Sequence, residues 1–228
     1  MQQTTAYDLI IFDMDGTLVD TEPHYRAVNR KIFEDLGFHL PLAEHDALVG
    51  MTAEGIWGNL KRRFHLEASV AELIENEQHQ QWHNLQVQTL MPIAGVPELI
   101  QAMAAEKIAL AVGSSSPQFM IDFITQKIGL ASYFQKTLSG EAVTHGKPAP
   151  DLFLALADHF QVEPARCLVL EDAAHGVHAA KSAGMQCWGY QNPHSGYQDL
   201  SAADFVFSDY AKALQHWMFQ LAACAVEK

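Results

Sequence analysis

From Tyr7 to Asp20 the chain reads YDLIIFDMDGTLVD. Leu9 to Phe12 is a short run of apolar, β-forming residues ended by an Asp and Gly cluster. A run that is apolar at every position predicts a strand covered on both faces, as in a parallel sheet. The carboxylates of Asp13 and Asp15 follow two residues apart, where alternate positions of an extended chain share a face. They form a pair. A carboxylate is ionised at pH 7 without a helper base, so Asp13 can attack phosphorus directly and become an aspartyl phosphate. Asp15 is then the acid that protonates the leaving oxygen and later the base toward water, which needs a raised carboxyl pKa. Gly16 allows a tight turn that brings backbone amides toward a phosphate.

Beyond Lys107 the strand pattern recurs in KIALAVG (107–113), KTLSG (136–140), RCLVLE (166–171), MQCWGY (185–190) and ADFVF (203–207). Helical stretches at 117–128, 149–162 and 173–183 separate them. Alternation of this kind predicts an α/β fold with a Rossmann-like, doubly wound parallel sheet and a ligand site at the strands' carboxyl ends. Between Thr21 and Leu90 the alternation stops and the text turns polar and helix-forming, as in SVAELIENEQHQQWHNLQVQTL. A structureless loop of that length is uncommon inside a compact domain. The expectation is a core built from 1–20 and 90–228, with an all-helical unit inserted at 21–89. MPIAGVPEL marks the return, with Pro97 suited to the first turn of the next helix.

The 228 residues, 49% of them hydrophobic, suffice for one sizeable core and a small companion unit. Fourteen Lys and Arg stand against 27 Asp and Glu, a formal charge of −13 that repels nucleic acid and acidic membrane alike. An anionic substrate therefore needs a local positive site: a metal, a lysine or a set of amides. Cys167, Cys187 and Cys224 are scattered without CxxC spacing, as free thiols are, and no apolar run approaches a signal sequence or a membrane span. A cytoplasmic monomer is the expectation, with no nucleic-acid or membrane partner.

DMDGTLVD (13–20) resembles the first motif of haloacid dehalogenase-type phosphatases. Three further segments match the family in order and spacing: Gly113-Ser114-Ser115-Ser116 after the apolar IALAV, Lys147 in GKPAPD, and Glu171-Asp172 closing LVLED. The helical insertion between the first two motifs resembles the family's small cap, as in its β-phosphoglucomutase-like sugar phosphatases. The resemblance implies Asp13, Asp15 and Lys147 as catalytic residues and Gly16, Thr17, Ser114 and Ser115 as substrate-binding ones. It implies Mg²⁺ held by Asp13, the Asp15 carbonyl and Asp172, with Glu171 in support directly or through water. Hard cations of this kind take oxygen ligands beside phosphate. The activity implied is Mg²⁺-dependent hydrolysis of a small phosphorylated metabolite such as a sugar phosphate.

Other members of the family fit less well. Dehalogenases lack the second acid that Asp15 supplies, and a haloacid has no leaving alkoxide to protonate. Phosphonate cleavage needs a buried cap lysine of lowered pKa, and Lys31 and Lys61 do not sit in apolar text. The alternative is a sugar-phosphate mutase of the β-phosphoglucomutase type, whose cap must hold a second phosphate. Here Gly50-Met51-Thr52 runs on into Ala53-Glu54 where that enzyme has an arginine, and its assisting histidine aligns nearer Tyr25 than His24. A further alternative is a non-catalytic protein that binds phosphometabolites on the same scaffold, which has no need of both Asp13 and Asp15.

Several features are set lower. His79 and His83 read as exposed helix positions, because no carboxylate or cysteine set completes a metal site there. His175 and His178 read as helix surface, Lys61-Arg62-Arg63 as a solvated face, and His24 as a hinge or surface residue. Substrate discrimination is expected around Val49 to Trp57. The sequence assigns no role to the loop Asn192–Tyr197.

Overall fold

The computed structural model describes residues 7–48 and 51–226, without side chains for 224–226. Its strands are β1 (Leu9–Phe12), β2 (Ala109–Ser114), β3 (Lys136–Ser139), β4 (Cys167–Glu171), β5 (Gln186–Tyr190) and β6 (Phe205–Phe207). They form one parallel sheet in the order β3-β2-β1-β4-β5-β6. Each strand lies where the sequence places it. The helices of the sheet unit are α5 (Val96–Ala105), α6 (Gln118–Lys127), α7 (Asp151–Phe160), α8 (Ala174–Ser182) and α9 (Tyr210–Val226), with α1 to α4 inserted before them. The expected helices at 117–128, 149–162 and 173–183 each shorten by one or two residues at either end, within the fraying of helix termini. The sequence reading did not reach α9, which packs on α5 and β6.

Alternation along β1 explains its unbroken apolar text. Ile10 and Phe12 enter the cluster that holds Leu99, Ile121 and Trp217, while Leu9 and Ile11 enter the opposite one with Phe153, Leu156 and Val177. Both faces are thus buried, and no polar residue is tolerated until the strand ends. Phe12 stands in register with Val112 on β2 and Leu170 on β4. One step further, Asp13 emerges between Gly113 and Glu171. The chain winds outward from β1 through β2 and β3, then crosses to β4 on the other side. β1 and β4 therefore flank the topological switch point, where open α/β sheets bind ligands.

The insertion comprises α1 (Glu22–Asp35), α2 (Leu42–Asp46), α3 (Ala53–Phe64) and α4 (Val70–Val87). It has its own hydrophobic cluster, in which Ile32, Phe33, Phe38, Leu60 and Leu73 surround the fully buried Trp57. Local chemistry fixes its helix ends. Thr52 accepts from the Gly55 amide at the start of α3, and Ser69 and Glu72 form a reciprocal capping box at the start of α4. Lys61 donates to the carbonyls of Leu66, Glu67 and Ala68 just past the end of α3. The chain leaves the sheet unit and returns at one place, since the Ile93 amide donates to the Leu18 carbonyl at 2.9 Å. Pro97 lies in the first turn of α5, as its sequence context suggests. Among the described residues, no helix is long and apolar enough to cross a membrane.

Candidate active site

Four charged side chains meet beyond the carboxyl ends of β1 and β4. Lys147 Nζ donates to Asp13 Oδ1 at 2.6 Å, to Glu171 Oε1 at 2.5 Å and to the Gly113 carbonyl at 3.3 Å. All of these residues are buried. Asp172 adds a third carboxylate, and its ligand oxygen, with one each from Asp13 and Glu171, lies in a group spanning no more than 4.8 Å. Two hydroxyls hold Asp172: Thr17 Oγ1 donates to Oδ1 at 3.1 Å and Ser195 Oγ to Oδ2 at 2.5 Å. Burial, and then the neighbouring carboxylates, push Asp13 well above the usual carboxylate range against the opposing pull of Lys147. Asp172 is raised likewise by burial and by Glu171. Burial works to lower the Lys147 pKa, but Asp13 and Glu171 overcome it and raise the net value.

Asp15 sits one pleat further on, and three hydroxyls donate to its carboxylate: Thr21 at 2.6 Å, Ser116 at 2.7 Å and Ser114 at 3.2 Å. Ser114, read from the sequence as a phosphate-binding residue, therefore spends its proton on Asp15 here. Ser115 lines the adjoining cavity, whereas Gly16 and Thr17 do not. Thr17 is wholly buried with its hydroxyl on Asp172 and its carbonyl accepting from Tyr210 at 2.7 Å. Gly16 has φ +83°, and a Cβ there would overlap the Asp172 carboxylate. Its value to the site is close approach of backbone to acid, in a conformation that favours glycine.

A protein-family model for haloacid dehalogenase-like hydrolases matches residues 10–190, most of the chain. A probable pseudouridine-5'-phosphatase of Drosophila melanogaster is 32% identical over 207 residues, covering 88% of this chain and 89% of the relative. The chain belongs to the haloacid dehalogenase-like hydrolase family. It is an enzyme of the phosphatase kind that the sequence motifs suggest. A fructose-1-phosphate phosphatase of Escherichia coli, YqaB, is 30% identical over 183 residues, 78% of this chain and 94% of that one. A solved structure of β-phosphoglucomutase from Clostridium difficile superimposes with a TM-score of 0.82 over 96% of this chain and 99% of that one. At 20% identity that likeness shows a common fold only.

In this hydrolase the insertion covers the acidic cluster and leaves a cavity of about 700 Å³. Asp13, Asp15, Lys147, Glu171 and Asp172 line one side of it, and residues of α1, α3 and α4 line the other. The two sides touch where Gln78 on α4 donates to Glu141 at 3.0 Å. Close packing also brings Thr52 against Gly146 and Asp46 against Gly196, where any Cβ would overlap the opposing side chain. Of the residues expected to discriminate substrates, Met51 to Glu54 and Ile56 line this cavity, while Val49 and Gly50 lie outside the described residues.

The features set lower by sequence also find their places. His79 and His83 are exposed with rings stacked 6.5 Å apart, and His178 is exposed. His175 is half-buried, and His24 does not line the cavity. Arg63 pairs with Glu44, and Lys61 serves the α3 terminus, so neither reaches the site. Cys167 and Cys187 are free and buried.

Sequence reasoning missed the supports. Asn192 Nδ2 donates to the Gly16 carbonyl at 2.9 Å, and with Ser195 it makes the unassigned loop after β5 a brace for Gly16 and Asp172. Its place at the carboxyl end of a strand beside the switch point is the signal that could have found it. Gly176 in α8 is another: a Cβ there would fall inside the Glu171 carboxyl group. A glycine inside an otherwise ordinary helix is a hint of close packing. Tyr25, from α1, buries its hydroxyl against Asp15 and Ser116 without a well-formed hydrogen bond to either, and burial followed by the Asp15 charge raises its pKa strongly.

Proposed function

We propose that this enzyme is a Mg²⁺-dependent phosphatase that hydrolyses a small phosphorylated metabolite through an aspartyl-phosphate intermediate on Asp13. The observation that carries the reading is the buried group of three carboxylates around a single ammonium, with Asp15 poised beside it. The named phosphatases among the relatives point the same way.

The cluster suits a divalent cation. Asp13, Glu171 and Asp172 place three acids in a buried group whose ammonium, among the described residues, is Lys147, and burial with mutual repulsion already raises Asp13 and Asp172. A hard cation bound by such oxygens would offset that repulsion and the charge of an incoming phosphate. Asp13, Asp172 and the Asp15 carbonyl are the groups that would hold it, with Glu171 in support.

The chain's own residues then divide the work. An oxygen of Asp13 attacks phosphorus, forming one P–O bond while the bond to the leaving oxygen breaks. Asp15, held by Thr21, Ser114 and Ser116, gives its proton to that oxygen. Water next attacks the phosphorus, Asp15 takes a proton from it, and Asp13 departs from inorganic phosphate. Lys147 fixes Asp13 and counters phosphate charge, and Glu171 keeps Lys147 in place. The segment 21–89 acts as a cap over the core of 1–20 and 90–228, excluding bulk water during turnover. Phosphate release from p-nitrophenyl phosphate tests the reading: Mg²⁺-dependent turnover in the wild type that Asp13→Asn abolishes is the expected result. Undiminished turnover in that variant would overturn the nucleophile.

A further inference from the structure

Among the described residues, the cavity wall contributed by the insertion carries no positive charge. Among the described residues, its polar members are the carboxyl groups of Glu22, Glu54 and Glu77 and the side-chain amides of Asn29, Gln78 and Gln81, with Tyr25, His45 and Thr52. The neighbouring Val49 and Gly50 are uncharged residues. Burial, and then Arg26, lower the His45 pKa from its ordinary value, which keeps that imidazole neutral near pH 7. Glu141 adds another acid from the core side, and the one Lys in the cavity, Lys147, already holds Asp13 and Glu171.

All six cations of the insertion point elsewhere. Arg26 pairs with Asp46 at 2.7 Å and donates to the His194 carbonyl at 3.0 Å. Lys61 binds three carbonyls beyond α3, and Arg63 pairs with Glu44. Arg30, Lys31 and Arg62 are exposed and do not line the cavity. A second phosphate or a carboxylate on the substrate would therefore lose water against a wall that offers it no counter-charge, an arrangement that rejects a wrong ligand.

The wall has positive selectivity as well. Gln81 donates to Glu77 at 3.1 Å and to Asn29 at 3.4 Å, and Glu77 is anchored by the Trp57 indole at 2.6 Å. These amides are fixed in place, and each group both donates and accepts, as hydroxyls do. Beside them stand the aliphatic side chains of Ile56 and Ile74. Fixed amides next to aliphatic carbon suit the hydroxyls and C–H edges of a sugar or polyol, and about 700 Å³ is ample for one.

We infer that the wall formed by Glu22, Asn29, Gln78 and Gln81 selects monophosphates with an uncharged, hydroxyl-rich leaving group and rejects substrates bearing a second anionic group. This inference rests on the phosphatase reading above, and it sets the enzyme apart from bisphosphate-dependent mutases. The test compares kcat/KM, with Mg²⁺ present, for fructose 1-phosphate against fructose 1,6-bisphosphate and for glycerol 3-phosphate against 3-phosphoglycerate, with p-nitrophenyl phosphate alongside. The member of each pair whose leaving group is uncharged should be preferred about tenfold or more. Gln78→Lys and Gln81→Lys, each placing a cation in the wall, should move that ratio toward the charged member about fivefold or more, mainly through KM.

Equal or better use of the bisphosphate by the wild type overturns the inference, as does a ratio unmoved in both lysine variants. Conversion of glucose 1-phosphate to glucose 6-phosphate that depends on glucose 1,6-bisphosphate also overturns it. If p-nitrophenyl phosphate is still turned over in an Asp13-dependent way, only the selectivity falls. If no ester is hydrolysed at all, the phosphatase reading falls with it.

Discussion

Gly176→Ala sets two opposed effects against each other. In a typical helix interior the change would stabilise by about 0.5–1 kcal/mol, because alanine loses less backbone entropy. In α8 the new methyl would instead fall inside the Glu171 carboxyl group. That carboxylate has no room to yield, since Oε1 takes the Lys147 ammonium at 2.5 Å and Oε2 the Ala173 amide at 3.0 Å. Expelling it removes one partner of a buried ion pair, about 3–5 kcal/mol, and strands a buried amide, about 1–3 kcal/mol. With the helix gain subtracted, the variant should lose about 3 kcal/mol or more. Urea unfolding without metal reads this as a lower midpoint at unchanged m-value. Gly58→Ala in α3 is the control: its methyl meets nothing nearer than Arg62 Nη1 at 3.7 Å, so it should stabilise by about 0.5–1 kcal/mol. In a Glu171→Ala background, Gly176→Ala should cost nothing, because the clash has been removed. If Gly176→Ala is as stable as the wild type while Gly58→Ala behaves as stated, Glu171 does not occupy this seat and its hold on Lys147 is wrong.

Two further expectations follow from the cluster and the cavity. MgCl₂ added to metal-free protein should raise Tm, by the equivalent of about 2.7 kcal/mol at a hundredfold excess over Kd; Ser195→Ala, which frees Asp172 Oδ2, should weaken that titration about tenfold or more, and an unchanged titration would refute the bracing role of Ser195. Glu22 has its pKa raised to about 8, first by burial and then by Asp15, so between about pH 4.5 and pH 8 the folded protein keeps a proton that the unfolded chain has released. Wild-type stability should fall as pH rises through that window, and Glu22→Gln should lose that slope, gaining on the wild type by at most about 4–5 kcal/mol at pH 8.5 relative to pH 5. Urea midpoints at the two pH values decide it, and a gap that does not widen with pH would refute the raised pKa of the half-buried Glu22.

The parts of the fold that were legible in the sequence are those encoded locally. Most of the strands are short apolar runs ended by a turn signal, and β1 announces its two-faced burial by having no polar position from Leu9 to Phe12. Asp13 was read as the acid that closes the first strand, whereas Lys147, Glu171 and Asp172 were singled out because their segments resemble the family's motifs. What escaped were contacts that depend on packing between distant segments. Nothing in Asn192 or Ser195 says that they reach Gly16 and Asp172, and nothing in Ser114 says that its hydroxyl turns to Asp15. Thr17 shows the same limit. Its neighbours in sequence suggest phosphate binding, yet a fully buried hydroxyl must find its partner inside, and Asp172 is the acceptor within reach.

The division between core and insertion follows from where charge can be sustained. The core concentrates its acids at the switch point, where Lys147 pairs with Asp13 and Glu171. Among the described residues, the insertion adds no cation of its own to the wall that holds Glu22, Glu54 and Glu77. The six cations of the insertion instead bind outer acids, helix termini or solvent. Recognition of the leaving group is thereby left to fixed neutral groups, whose hydrogen bonds depend on shape and hydroxyl placement and little on net charge. An enzyme that carries −13 overall can in this way admit one phosphate at one point and refuse a second anywhere else in the cavity.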